Sequence, residues 1–532
     1  MIARARSAVG EATLDRLVLV GLLVLAAVLR LVDLPTRGTW DSDQGNDMLV
    51  LRGLVLDGRL PLLGPPTSIG DFHHGVLYYY LLAPAAALTG ADPIGVVGAI
   101  ALAGVAAVGV TWWLARSIGG SVAGAVAGLL MAVSTSAVDE STFIWNPNLI
   151  ALSSSIALAG AWRAWTSGRP GWWLVAAIGA IVTMHCHVLG TVLLPVVVAL
   201  LVADIRRRSA GPERTARIRV AALGAAMLVA SYVPLAIHEL SNDFSESRAA
   251  IDFIAGGGEP SGMALPARLA VVAVRVLSWP LSGLITDAPV AALLAAALVV
   301  VLVAWRALAA TGPERTAARW FGIGLAWSIA ALTAGASGLT SVVPSLPNDH
   351  YHAFVDPIVF VVVGLGAAAM WRWRPATEGR AAAGPATLPA AGPVLAVALV
   401  GVILVFNLAN QPPAVHADGG WPAGRQAADR VLAAVGGRPI VLDSLPDFKP
   451  AHALRYPLVA ADADVVNARA DSAGAGDAAS ARVVLCDELF RDAIGAACGG
   501  PAEDASIGAD ALVVSERFEA APGRWISVYL PR

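Results

Sequence analysis

Apolar residues fill this chain in long blocks separated by short polar intervals. A helix that crosses the hydrocarbon core of a bilayer needs about 20 mostly apolar residues. Eleven stretches approach that length, near 16–34, 94–115, 119–137, 148–165, 171–188, 189–204, 218–237, 288–306, 319–340, 354–371 and 392–411. Leu189-Gly190-Thr191 must turn the chain between the fifth and the sixth. Two further apolar stretches are interrupted. Residues 76–90 are short and carry Tyr78, Tyr79, Tyr80 and Pro84, and residues 264–285 contain Arg268, Arg275 and Pro280. Both read as interfacial helices, in outer loops 35–93 and 238–287. After residue 411 the blocks stop. Arg438–Ser444, Ala481–Asp487, Ala511–Glu516 and Trp525–Leu530 read as short strands, and 424–435 and 488–497 as helices. The pattern predicts a polytopic α-helical membrane protein with about 11 transmembrane helices over 1–411. A small C-terminal extracytoplasmic α/β domain follows over 412–532.

Composition agrees with that reading. The 532 residues are 57% hydrophobic and 14% charged, against about 25% charged in a soluble domain, which excludes an ordinary soluble globule. The net charge of −3 gives no basic surface for nucleic acid. Charge also predicts orientation. With the N-terminus cytoplasmic, the inner segments hold eighteen arginines against six acids, as the positive-inside rule requires. An odd number of spans then puts the C-terminal domain outside a plasma membrane. There Cys486 and Cys498 flank the 488–497 helix and are expected to form a disulfide, while Cys186 stays free. All nine histidines fall on the outer side, so the chemistry is expected there.

The first outer loop holds the densest set of chemical groups. It opens Trp40-Asp41-Ser42-Asp43-Gln44-Gly45-Asn46-Asp47 and ends Asp71-Phe72-His73-His74-Gly75-Val76-Leu77-Tyr78-Tyr79-Tyr80. Asp43 and Asp47 share a face if a helix begins here. Clustered carboxylates raise one another's pKa. They can hold a divalent cation through oxygen ligands, here Asp41 and Asp43 with His74, or one can serve as a general base. The plainer alternative for Asp41 and Asp43 is helix capping. Asp139-Glu140 either line the site or cap the following span. Tyr78, Tyr79 and Tyr80 read as an interfacial aromatic belt, and His185 as a packing residue.

The acidic opening, the Gly58-Arg59-Leu60-Pro61 stretch and the Phe72 to Tyr79 run together resemble the first outer loop of GT-C glycosyltransferases. The likeness is to dolichyl-phosphate-mannose protein mannosyltransferase-like enzymes and bacterial lipid A aminoarabinose transferases. Trp145-Asn146-Pro147-Asn148 and His187 are similar to a bacterial branch, and the likeness runs over about residues 14–370. It implies that Asp43 is the catalytic aspartate. Those families show Asp-Glu where this chain has Asp43-Gln44, leaving Asp41 or Asp47 to supply the second carboxylate. It implies a further acidic residue at Asp139 or Glu140, and lipid-phosphate contacts from Asp349-His350-Tyr351-His352.

The activity so implied is transfer of a sugar from a polyprenyl-phosphate donor to a glycan, lipid or protein acceptor on the outer face, by inverting displacement. Asp43 would take the acceptor's proton. Developing phosphate charge would meet Arg248, Arg275, His73, His74, His350 or His352. Asp47, Glu140 and Tyr351 complete the expected substrate contacts. The alternatives are a lipid-linked sugar transporter or flippase, and a non-catalytic GT-C scaffold.

Overall fold

The computed structural model describes residues 2–67, 71–256, 262–340, 349–373, 391–467, 480–507 and 512–532. Helices occupy the apolar blocks. In chain order they are α1 (Ile2–Leu31), α2 (Leu34–Arg37), α3 (Ser42–Leu56), α4 (Leu77–Leu88), α5 (Pro93–Gly119), α6 (Ser121–Val133) and α7 (Thr135–Asp139). Next come α8 (Ile150–Ser167), α9 (Trp172–Cys186), α10 (Leu193–Arg206), α11 (Pro212–Ser231), α12 (Val233–Ser241), α13 (Ser245–Ala255) and α14 (Leu265–Ser282). The last of the bundle are α15 (Pro289–Ala309), α16 (Gly312–Gly335), α17 (Asp356–Arg372) and α18 (Ala391–Ala409).

Seven helical segments among the described residues are long and apolar enough to cross a membrane, or eight if the bent pair α11 and α12 is one span. The eleven expected from the sequence are not all reached on that criterion. Helix α6 stops after 13 residues, because Ser134 leaves helical geometry and caps α7 instead. Helix α9 stops after 15, where the extended backbone of His187 opens a 3₁₀ turn. Helix α14, expected at the interface, meets the criterion itself. Its Arg275 is buried and donates to the carbonyl of Leu339, so this charge does not hold the helix at a surface.

Helix α17 is the centre of the bundle, buried over nearly its whole length. Small residues permit this: a Cβ on Gly364 would lie 2.5 Å from the carbonyl oxygen of Ala123 on α6. One end of the bundle is marked by ion pairs, Arg116 with Asp15, Arg217 with Asp204 (2.7 Å) and Arg306 with Glu314 (2.9 Å). The other end carries α2, α3, α4 and the C-terminal unit.

That unit is a five-stranded mixed sheet in the order β2-β1-β3-β5-β4. Its strands are β1 (Ile440–Leu445), β2 (Val465–Asn467), β3 (Ala481–Asp487), β4 (Leu512–Ala521) and β5 (Arg524–Pro531). β1 pairs in parallel with β2 and β3, and β5 is antiparallel to β3 and β4. Helices α19 (Gly420–Val435) and α20 (His452–Ala460) cover it. The 488–497 segment, expected as one helix, is a 3₁₀ turn and a four-residue helix. A disulfide joins Cys486 to Cys498, and Cys186 is free and buried.

The unit docks directly on the first loop. Trp40 Nε1 donates to the carbonyl of Ala453 at 2.8 Å and Ser42 Oγ to that of Pro450 at 2.6 Å. The Trp40 ring packs against Trp421 and Tyr456. Gly45 lets α3 approach α20, since a Cβ there would lie 2.1 Å from the carbonyl oxygen of His452.

Candidate active site

Helix α3 begins at Asp41 because that side chain accepts from the Ser42 N–H while Gln44 reaches back to the Asp41 N–H, a capping box. The cap fixes the next turn, and Asp43 faces a cavity of about 500 Å³. Among the described residues nothing hydrogen-bonds or ion-pairs with the Asp43 carboxylate. It is open to the cavity yet deep within the protein envelope. Burial, reinforced by the nearby charge of Asp41 and opposed by Lys449, raises its pKa to about 6.

Asp47 follows one helical turn later and also lines the cavity. It accepts from Tyr78 and Tyr79 hydroxyls, each at 2.8 Å. Burial carries its pKa to about 7 against those two donors, with Asp43 adding to the rise. This corrects the aromatic-belt expectation: Tyr78 and Tyr79 are buried and spent on Asp47, and Tyr80 donates to the carbonyl of Pro61 at 2.6 Å.

Opposite stands a ladder of rings. His74 lies 4.5 Å from His187, His187 stacks on Tyr351 at 4.4 Å, and Tyr351 meets Trp145 at 5.7 Å, all lining the cavity. His74 Nδ1 accepts from the Val188 N–H at 3.2 Å, so the neutral ring carries its proton on Nε2. Burial, with His73 nearby, pushes the His74 pKa down to about 3, which keeps it a neutral donor. Asn146 is held beside them by a bond to the carbonyl of Cys186. Apolar lining comes from Pro65, Val188, Leu189, Phe253 and Leu339.

Several expected site residues lie elsewhere. Asp41 is the helix cap and pairs with Lys449 (3.0 Å) and Arg524 (2.9 Å). Burial alone would raise its pKa, but Arg524 and then Lys449 bring it below the ordinary value. The Asp41, Asp43 and His74 metal trio is not formed. Among the described residues no three His, Cys, Asp or Glu side chains converge to hold an ion. Asp139 and Glu140 do not line the cavity; burial raises Asp139 against the pull of His416 and Arg37. His73 is paired with Glu246 on α13 at 3.0 Å. Arg248 is exposed and away from the cavity. His352 is fully buried near Asp356 and Trp279. The side chain of His350 lies outside the described residues.

Sequence reasoning missed Lys449, Arg524 and Glu246. It also missed Phe448 and Pro450, through which the C-terminal unit supplies part of the cavity wall. The only signal available was that Lys449 is the sole lysine of the chain.

The chain is a bundle of apolar helices with a carboxylate-lined cavity at the end that carries the C-terminal unit. Residues 73–235 match the model of the dolichyl-phosphate-mannose-protein mannosyltransferase family. Among solved structures the chain is similar to ArnT from Cupriavidus metallidurans bound to undecaprenyl phosphate, with a TM-score of 0.60 at 15% identity over 96% of this chain and 97% of that one. The apo state of the same protein gives 0.57. The archaeal oligosaccharyltransferase AglB from Archaeoglobus fulgidus, in complex with an inhibitory peptide and a dolichol-phosphate, gives 0.51 at 12% identity, over 90% of this chain and 70% of that one. No curated protein sequence matches the chain.

Proposed function

We propose that this protein transfers a sugar from a polyprenyl-phosphate donor to an acceptor hydroxyl or amine, with Asp43 as general base. The observation that carries the reading is an unpartnered carboxylate, its pKa raised to about 6, facing a cavity of about 500 Å³ in a fold shared with proteins solved bound to undecaprenyl phosphate and to a dolichol-phosphate. Asp43 accepts the acceptor's proton as the new bond forms at the anomeric carbon. The bond to the lipid phosphate breaks, and the leaving group departs already anionic. One direct displacement inverts the anomeric centre. His74 Nε2–H would donate to the phosphate, and Tyr351, stacked on His187, lines the same cavity.

No described lining residue carries a fixed positive charge. A divalent cation would supply one, but the proposed trio does not fit it: Asp41 is taken by two cations and His74 Nδ1 by a backbone donor. Transfer that fails in EDTA and returns with Mg²⁺ or Mn²⁺ would place an ion at other ligands.

We place the cavity end on the outer face of a plasma membrane, with the N-terminus cytoplasmic, on the support of the arginine distribution and the Cys486–Cys498 disulfide. The test is Asp43→Asn in membranes supplied with radiolabelled polyprenyl-phosphate sugars. Loss of about a hundredfold or more in transfer, with normal expression and insertion, is expected. Full activity would rule out Asp43 as the base.

A further inference from the structure

A charge cluster outside the cavity sits at the junction of the C-terminal unit with α3. Lys449 Nζ lies 3.0 Å from Asp41 Oδ2 and 2.5 Å from Asp487 Oδ2. Arg524 Nη2 lies 2.9 Å from Asp41 Oδ1, and its Nη1 donates to the Trp40 carbonyl at 2.9 Å. Both cations therefore grip the cap of the helix whose next turn presents Asp43. The residues on either side of Lys449, Phe448 and Pro450, line the cavity, and Pro450 accepts from Ser42. Lys449 itself is 15% exposed, too enclosed for an ordinary surface pair.

We propose that Lys449, with Arg524, is a positioning residue for Asp43: by holding Asp41, the C-terminal unit orients the Asp43 carboxylate and neutralises the charge beside it. The inference rests on the reading of Asp43 as base. An unpaired Asp41 two residues away would repel a charged Asp43 and favour its protonated form, which cannot accept a proton. The groups that face Asp43 divide cleanly. Asp41 and Asp47 come from its own helix, and Tyr78 and Tyr79 on α4 are bonded to Asp47. His74 and His187 face it across the cavity, and burial holds His74 neutral. The C-terminal unit, packed on α3, brings Asp487, His452, Lys449 and Arg524 around the helix cap, and none of them lines the cavity. Burial, with Arg455 adding to it, also takes His452 down, to about 4. Lys449 and Arg524 are the cations of this set: both pair with Asp41, and the charge of Lys449 also acts on Asp43 directly.

The test needs no donor. The Asp43 carboxyl of the purified full-length protein is titrated by difference infrared spectroscopy, wild type against Asp43→Asn. Lys449→Met should raise the Asp43 midpoint by about one pH unit, and Lys449→Arg should restore it. Because the chain has one lysine, the folded protein offers a second route. Acetylation, which removes the charge, should reproduce the shift. Reductive dimethylation, which keeps the charge, should not. A residue that merely glues the unit in place would leave the midpoint alone. An unmoved midpoint in both Lys449→Met and the acetylated protein overturns the inference. If Asp43→Asn retains full transfer, the base assignment fails instead, so the two failures are told apart.

Discussion

Asp43 and Asp47 are neighbours on one helix but have opposite surroundings: one faces open cavity, the other two tyrosine hydroxyls. Their predicted pH behaviour differs accordingly. As the proposed base, Asp43 must be ionised, so transfer efficiency should fall as pH drops through about 6, read as the acid limb of a kcat/KM profile. A limb confined to the ordinary carboxylate range near 4 would contradict this. For Asp47 the sign concerns stability. Its folded pKa, about 7, lies above the unfolded value of about 3.9. Folding therefore favours the protonated form. That contribution is complete below the unfolded pKa and is lost as pH rises through 7. Tyr79→Phe removes a donor to the ionised form and should cost about 1.5–3 kcal/mol at pH 8, with a smaller loss at pH 5. Thermal unfolding at the two pH values checks it, and equal losses would refute it. The two aspartates were legible in the sequence because helical spacing is local. Lys449 and Glu246 were not, because each meets its partner only through the tertiary fold.

At the scale of elements, the apolar blocks located the helices because a bilayer demands long apolar runs. What the blocks could not show was how each run ends. Ser134 and His187 are ordinary residues in sequence, yet each interrupts a span by turning its own backbone. Tyr78 and Tyr79 misled for a related reason: a tyrosine before an apolar run suits a membrane interface and also a buried carboxylate, and the composition of the run cannot choose. The contact of α3 with α20 gives a sharper test. Gly45→Ala inserts a methyl group 2.1 Å from a backbone oxygen, where no side chain can rotate away. The two helices must separate, at about 1–3 kcal/mol. The expected result is reduced transfer with normal membrane insertion, and faster protease cleavage between residues 411 and 420. Unchanged cleavage would mean that the unit tolerates the displacement.

For the whole molecule, the two ends have different electrostatic designs. At the arginine end, cations outnumber their acidic partners, and pairs such as Arg217 with Asp204 tie neighbouring helices. At the cavity end the acids lead, and the C-terminal unit brings Lys449 and Arg524 to offset them. The asymmetry predicts orientation: basic segments remain in the cytosol, and the cavity with its sheet domain faces outward. External protease on intact spheroplasts should therefore remove the 412–532 unit and spare the 207–211 turn. Opened membranes should expose both. Cleavage at 207–211 alone from outside would reverse the orientation. It would also set the Cys486–Cys498 disulfide in a reducing compartment, where such a bond does not ordinarily persist. Removing the unit also removes one wall of the cavity and the cations on Asp41, so released membranes should lose transfer as the fragment appears. Loss of transfer in step with cleavage ties orientation to the site, because one cut reports both.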